Sequence, residues 1–124
     1  MTKKIVVHEF HIKRVYDEPS SDDGLRFLVD RLWPRGVRKD ALRATWLKEV
    51  APSPSLRKWF GHEPAQWPEF RRRYCLELEK NPTAWAPLLV AIQKDTVTLL
   101  FSARETDMNQ AVVLKDFLTK RTAH

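Results

Sequence analysis

Two arginines at the end of a predicted strand are the clearest chemical feature of this sequence. Residues 25–36 read LRFLVDRLWPRG, so an apolar run is followed by Arg31, Trp33 and Arg35. Such a run is typical of a buried strand, and Pro34 cannot donate a hydrogen bond to a sheet. A guanidinium presents fixed donors that match a carboxylate or a phosphate. The pair therefore predicts an anion site, with Trp33 placed to stack on a planar ring.

A second group of polar residues follows another apolar run. Residues 96–101 read TVTLLF, and Ser102, Arg104, Asp107 and Asn109 come directly after them. In open α/β sheets, ligands bind at the carboxyl ends of the strands. If the two strands are parallel neighbours, we expect these residues to converge with the two arginines on one ligand site. Ser102 and Asn109 would add neutral hydrogen bonds, while Asp107 would hold an arginine or act as a base.

Each of these residues also has a purely structural interpretation. Asp30 and Arg31 point to opposite faces of an ideal strand, so either is suited to a structural ion pair, for which Asp107 is one partner. A tryptophan beside an apolar strand, such as Trp33, commonly belongs to the core. Asp107 and Asn109 equally suit the start of a helix, with Asp107 as its N-cap. Both interpretations stay open at this point.

Hydrophobic periodicity predicts the elements that would position these groups. We expect a small α/β sandwich with a mostly parallel, Rossmann-like central sheet flanked by helices. The predicted strands are 5–16, 25–32 and 96–101. Five helices are predicted. The first is capped by Asp40 and stopped by Pro52, the second runs from Ser53 to Gly61, and the third covers 65–80. The fourth helix begins at Asn81 and Pro82, and the fifth begins at Asp107. The loop over residues 18–24 is shorter than a parallel crossover normally requires, so either the first two strands are antiparallel or part of 5–16 belongs elsewhere.

Length and composition indicate a single domain. The chain has 124 residues, of which 43% are hydrophobic and 31% charged, so we expect one domain over residues 1–124. No apolar run approaches the ~20 residues of a membrane helix, and the amino-terminal segment does not resemble a signal peptide. Cys75 is the single cysteine, which excludes an internal disulfide. We expect a cytoplasmic protein without membrane association.

Positive charge is concentrated in the middle of the sequence. The formal net charge is +6, and residues 26–73 hold twelve Lys or Arg against five Asp or Glu. Such a field attracts anionic partners, from small molecules to nucleic acid, and it also keeps a solvated surface soluble.

Other chemistries lack their usual signatures. His8 and His11 would lie on opposite faces of a strand, so no metal site is predicted. Cys75 lies within a helical pattern and resembles a small buried hydrophobe. With three glycines in total, the chain has no glycine-rich phosphate loop. Any phosphate would be held by arginines and a helix end.

Several segments together resemble the YeaO-like proteins, a bacterial family classed as a domain of unknown function. The most specific is DRLWPRG at residues 30–36, and the others are 14–17, 23–29, 46–53, 56–60, 70–74 and 98–100. The resemblance implies a small α/β sandwich. Several relatives in the wider superfamily carry a Cys-His-Arg group after the last strand, whereas residues 102–110 here contain no cysteine. Closer members keep Asn109 but often have histidine in place of Gln110, so neither thiol nor histidine chemistry is implied at this loop.

Three classes of function follow from these observations. The first is a protein that binds a phosphate- or carboxylate-bearing small molecule, a hydrolase or transferase if it is an enzyme. The alternative is a nucleic-acid-binding module that uses the basic middle, with Arg71, Arg72 and Arg73 on phosphates. A regulatory protein-interaction role without chemistry is the third. The sequence determines neither a cofactor nor an oligomeric state.

Overall fold

Four parallel strands form one sheet in the computed structural model, which describes residues 8–122. The strands are β1 (Phe10–Arg14), β2 (Leu25–Leu28), β3 (Thr45–Trp46) and β4 (Val97–Phe101), in the order β1-β4-β2-β3. Val97 is in register with both Phe10 and Leu25. The expected α/β class and the parallel pairing of the second and last predicted strands are confirmed. The first two strands are parallel but not adjacent, because β4 lies between them.

The strand bounds differ from the predicted ones in two places. The described part of the predicted strand 5–16 is ordered as a strand over Phe10–Arg14, and residues 5–7 lie outside the described residues. The second strand ends at Leu28 rather than Leu32. Val29 still donates its N–H to the carbonyl of Leu100 at 3.0 Å. Beyond it, the side-chain carboxylate of Asp30 accepts the N–H of Ser102 at 3.0 Å, where a continued strand would offer a backbone carbonyl.

Five α-helices accompany the sheet within residues 8–122. They are α1 (Lys39–Leu42), α2 (Pro54–Phe60), α3 (Trp67–Glu79), α4 (Pro82–Ala91) and α5 (Gln110–Thr122). As predicted, Ser53 caps α2 by accepting the N–H of Leu56 at 3.2 Å, and Gly61 ends it in the left-handed conformation. The proline at the start of α4 is also as predicted, but the side chain of Asn81 makes no capping hydrogen bond.

The prediction of one helix between Asp40 and Pro52 is wrong. Arg38, not Asp40, precedes the four-residue α1, and Arg43 ends it with a left-handed φ of 52°. The chain then forms β3, in which Trp46 pairs with Leu28 of β2. The helical spacing of apolar residues came from three separate short elements, α1, β3 and a 3-10 turn over Lys48–Val50, which contribute to two different hydrophobic clusters.

The two faces of the sheet are covered unequally. Side chains of β4 alternate between the faces, and all five of its residues are buried, as expected for a central strand. Val97, Leu99 and Phe101 join the main core with residues of α2 to α5. Leu100 joins a smaller cluster on the other face, covered by Leu42 of α1 and the segment around Trp33. Within residues 8–122, no helix is both long and apolar enough to cross a membrane.

Candidate functional site

A cleft of about 600 Å³ lies where the carboxyl ends of the strands meet, and we call it the carboxyl-edge cleft. It is lined by residues 30–35 after β2, by residues 102–103 and 108–110 after β4, and by residues within the segment 51–62, which includes α2. Tyr16 and Phe70 complete the lining. Its volume lies within the range of small-molecule sites. The position is the one expected for a ligand site in an open parallel sheet.

Asp30 forms the floor of the cleft. Its Oδ2 accepts the backbone N–H of Ser102 at 3.0 Å and the Ser102 hydroxyl at 2.5 Å, and its Oδ1 accepts the side-chain amide of Gln110. Burial raises the pKa of this carboxyl, although the hydrogen bonds from Ser102 and Gln110 and the charge of Arg57 lower it. Asp30 thus ties the ends of β2 and β4 to the first residue of α5.

Some of the hydrogen-bond donors of the Arg31 guanidinium contact the protein, and one has no acceptor among the described residues. One of its terminal nitrogens donates to the carbonyl of Ala51 at 3.0 Å, and the other lies 3.7 Å from the exposed carboxylate of Glu49. Its Nε–H is buried and has no acceptor among the described residues. Arg31 therefore has a structural contact, as the structural interpretation required, but its hydrogen-bonding capacity is incompletely used.

The rim of the cleft contains the other two residues of the first motif. The side chain of Arg35 is exposed, while its carbonyl accepts the hydroxyl of Tyr16 at 3.0 Å. Trp33 lines the cleft but is also packed in the smaller core cluster, where its indole N–H donates to Val37 at 2.7 Å. Trp33 thus combines a wall of the cleft with the core role that the sequence left open.

Three cleft residues with basic side chains were not assigned to the site from the sequence. Arg57 and Lys58 lie on α2 and His62 follows it, and all three line the cleft. His62 holds a left-handed backbone with φ of 58°, which is uncommon for a residue other than glycine. The concentration of basic residues in the middle of the chain was the signal that could have identified them, but only the fold brings α2 opposite Arg31.

Ser102 and Asn109 line the cleft as expected, but both are engaged by the protein. Asn109, rather than the predicted Asp107, caps α5: its Oδ1 accepts the N–H groups of Ala111 and Val112 at 2.9 and 3.2 Å. Its amide nitrogen donates to the carbonyl of Glu105 at 2.8 Å. The first N–H groups of α5 are therefore already capped by Asn109, whose own amide also donates to the protein.

The structure does not bring Arg104 and Asp107 to the cleft. Both are exposed in the loop between β4 and α5, and neither lines the cavity. The backbone N–H of Asp107 donates to the side chain of Glu105 at 2.7 Å. Asp107 is therefore placed neither as a base for a ligand in this cleft nor as a partner of Arg31.

The three consecutive arginines of α3 are paired with acids. Arg71 forms an ion pair with Asp116, and Arg72 and Arg73 each contact Glu69 at 2.8 Å. The hydrogen bonds from Arg72 and Arg73 lower the pKa of Glu69 to about 2. Three arginines thus share two carboxylates, and Asp116 also lies 3.5 Å from Lys120, so the positive charge of this group is only partly matched within the protein.

No cluster of three or more histidine, cysteine, aspartate or glutamate side chains suited to a metal ion occurs within residues 8–122. Cys75 is half-buried in α3, away from the cleft, and burial raises the pKa of its thiol. A thiol in that environment is a packing group rather than a nucleophile.

The fold and the cleft define a small α/β protein with an all-parallel sheet and cationic side chains around its carboxyl edge. The chain belongs to the DUF488 family of YeaO-like proteins: the family described as "Inactive DUF488-N3 subclade" matches residues 9–124. The family expected from the sequence motifs is thereby confirmed.

The relatives are bacterial proteins of similar length. The uncharacterized protein YeaO of Escherichia coli (strain K12) is 45% identical over 107 residues, which cover 86% of this chain and 93% of that protein. The uncharacterized proteins Mb3100c of Mycobacterium bovis and Rv3073c of Mycobacterium tuberculosis are each 41% identical over 111 residues, covering 89% of this chain and 93% of theirs. No solved structure matches the chain.

Proposed function

We propose that the protein binds a small ligand bearing a phosphate or a carboxylate in the carboxyl-edge cleft. The observation that carries the proposal is the imbalance of charge among the described residues that line it. Four of them are permanent cations, Arg31, Arg35, Arg57 and Lys58, whereas Asp30 is the one acid. Cations gathered in a concave site with low-dielectric walls focus their field on an anion.

The side chains of the cleft support ligand binding rather than catalysis. The Ser102 hydroxyl donates to Asp30, so it is not activated by a histidine base. Asp30 already accepts three hydrogen bonds from the protein, so most of its acceptor capacity is used by Ser102 and Gln110. The description of the subclade as inactive points in the same direction. Ser102 and Asp30 therefore do not supply the nucleophile and base of a hydrolase or transferase; His62 is the one histidine among the described lining residues, and the Ser102 hydroxyl donates to Asp30 instead.

The nucleic-acid alternative has less support. It relied on the arginines of α3, and the ion pairs with Glu69 and Asp116 reduce the charge that those residues offer to a phosphate backbone. It predicts oligonucleotide binding that weakens steeply with added salt. The small-ligand proposal instead predicts that inorganic phosphate binds by itself, in the absence of any oligonucleotide.

Isothermal titration calorimetry with inorganic phosphate and sulfate tests the proposal, with thermal shift as a second readout. A ligand that binds only the folded state stabilises it by about 2.7 kcal/mol at a hundredfold excess over the dissociation constant, so the melting temperature should rise with anion concentration. Arg57→Ala should weaken binding at least about tenfold, since hydrogen bonds to charged groups are worth about 1.5–3 kcal/mol.

Arg104→Ala is the matched control. It removes the same side chain from an exposed position that does not line the cleft. Its affinity should stay within about twofold of the parent protein, a change below 0.5 kcal/mol. Equal losses in the two variants would indicate nonspecific attraction by net charge, and the absence of any saturable anion binding would reject the proposed site.

A further inference from the structure

The carboxyl-edge cleft has opposite polarity at its floor and at its rim. The rim and the α2 wall carry the cations Arg35, Arg57 and Lys58, which donate hydrogen bonds. The floor carries a buried carboxylate, Asp30, and the side-chain amide of Gln110. An anion placed against the floor would meet a like charge, whereas a neutral hydrogen-bond donor would meet an attractive field.

The orientation of the Gln110 amide follows from Asp30. Because the Gln110 Nε2 donates to Asp30 Oδ1, its Oε1 is directed elsewhere, and that oxygen accepts no hydrogen bond from the described residues. An ionised carboxylate can only accept hydrogen bonds. Asp30 thereby fixes Gln110 with its acceptor available. The second N–H of the same amide and the unmatched Nε–H of Arg31 are donors at this end of the cleft, so the floor suits hydroxyl groups, which both donate and accept hydrogen bonds.

We infer that the ligand is an organic phosphate whose end remote from the phosphate carries hydroxyl groups, the chemical class of the sugar phosphates. This inference rests on the proposed function, because the phosphate occupies the same cationic wall. The hydroxyl groups donate to the Gln110 Oε1 in the field of Asp30. A cavity of about 600 Å³ also far exceeds the space of an inorganic anion, since a water molecule occupies about 30 Å³ in the liquid.

Calorimetric titrations with ribose 5-phosphate, inorganic phosphate and ribose test this inference on the full-length protein. Ribose 5-phosphate should bind at least about tenfold more tightly than inorganic phosphate, the effect of one or two additional hydrogen bonds. Ribose alone should bind too weakly to measure. Arg57→Ala should weaken both phosphates in parallel.

Asp30→Asn separates the floor from the cationic wall. The asparagine oxygen can still accept from Ser102, while its amide nitrogen donates to Gln110, whose side chain then turns its own donor to the cleft. In this variant the dissociation constants of ribose 5-phosphate and inorganic phosphate should differ by no more than about threefold. Inorganic phosphate should bind at least as tightly as to the parent protein, because a like charge is removed.

Gln110→Met is the second variant, and it retains both bonds from Ser102 to Asp30 while it removes the free acceptor. It should also abolish the preference. Equal affinity of the parent protein for the two phosphates, or an unchanged preference in either folded variant, would overturn the inference and leave the anion site intact. Absence of binding by both phosphates would overturn the proposed function as well.

Discussion

Removal of one buried hydroxyl should measurably loosen the segment that holds Arg31. Tyr74 of α3 is fully buried, and its hydroxyl donates to the carbonyl of Val50 at 2.7 Å. Val50 directly precedes Ala51, whose carbonyl accepts from Arg31. Tyr74→Phe keeps the ring and removes only the donor, so the Val50 carbonyl is left buried without this partner.

The expected loss follows from that burial. A buried polar group left unsatisfied costs about 1–3 kcal/mol, and a hydroxyl-sized void is too small for a replacement water. For a chain of 124 residues, an unfolding entropy of about 2.1 cal/mol/K per residue converts each kcal/mol to about 4 °C. Tyr74→Phe should therefore lower the melting temperature by about 4–12 °C.

Tyr16→Phe provides the control, because it removes the same atom from an exposed bond. The Tyr16 hydroxyl donates to the carbonyl of Arg35 at 3.0 Å, but the residue is 50% exposed, so water can replace it. Its melting temperature, measured by calorimetry or circular dichroism, should change by less than about 2 °C. Equal shifts in the two variants would refute the reasoning that burial of the Val50 carbonyl sets the cost.

Two further predictions concern the backbone and the surface charges. Gly24 has a φ of 64°, and a Cβ there would lie 2.1 Å from the carbonyl oxygen of Thr96, so Gly24→Ala should cost more than about 2 kcal/mol in chemical denaturation. Gly36→Ala, with a similar φ but open space, should cost less, and an equal cost would show that the close approach is unimportant. The pKa of Glu69 is lowered from 4.5 to about 2, so its favourable contribution is present above pH 4.5 and is lost as the pH falls through 2. An NMR titration should show that midpoint, and Arg72→Ala should raise it; an unchanged midpoint in the variant would exclude the ion pair as the cause.

The elements that could be predicted from the sequence are those in which local signals and tertiary packing agree. The apolar runs of β2 and β4 identified two strands, whose assumed parallel pairing the structure shows, and Ser53 followed by Pro54 identified the start of α2. The segment 40–50 failed because helical spacing is also produced by separate short elements, and the left-handed Arg43 gave no sequence signal. At the start of α5, the capping chemistry was predicted correctly but assigned to Asp107, although Asn109 performs it.

The same distinction applies to the cleft. Arg31, Arg35 and Ser102 could be placed there because each follows a strand, and parallel strands carry such residues to one edge. Arg57 and Lys58 could not, because a helix presents its side chains in all directions and only the docking of α2 decides which of them face a cavity. Arg104 failed for the opposite reason, since the loop after β4 turns it outward.

The strand order has a consequence for how the sheet assembles. β4 is the last strand in the chain, yet it lies between the first two, and it pairs with partners that precede it by more than 70 residues. Such distant pairings carry a large loop-closure entropy and are associated with slow folding. During synthesis, β1 and β2 emerge from the ribosome long before the strand that joins them. The sheet, and with it the carboxyl-edge cleft, can close only after residues 97–101 have been made.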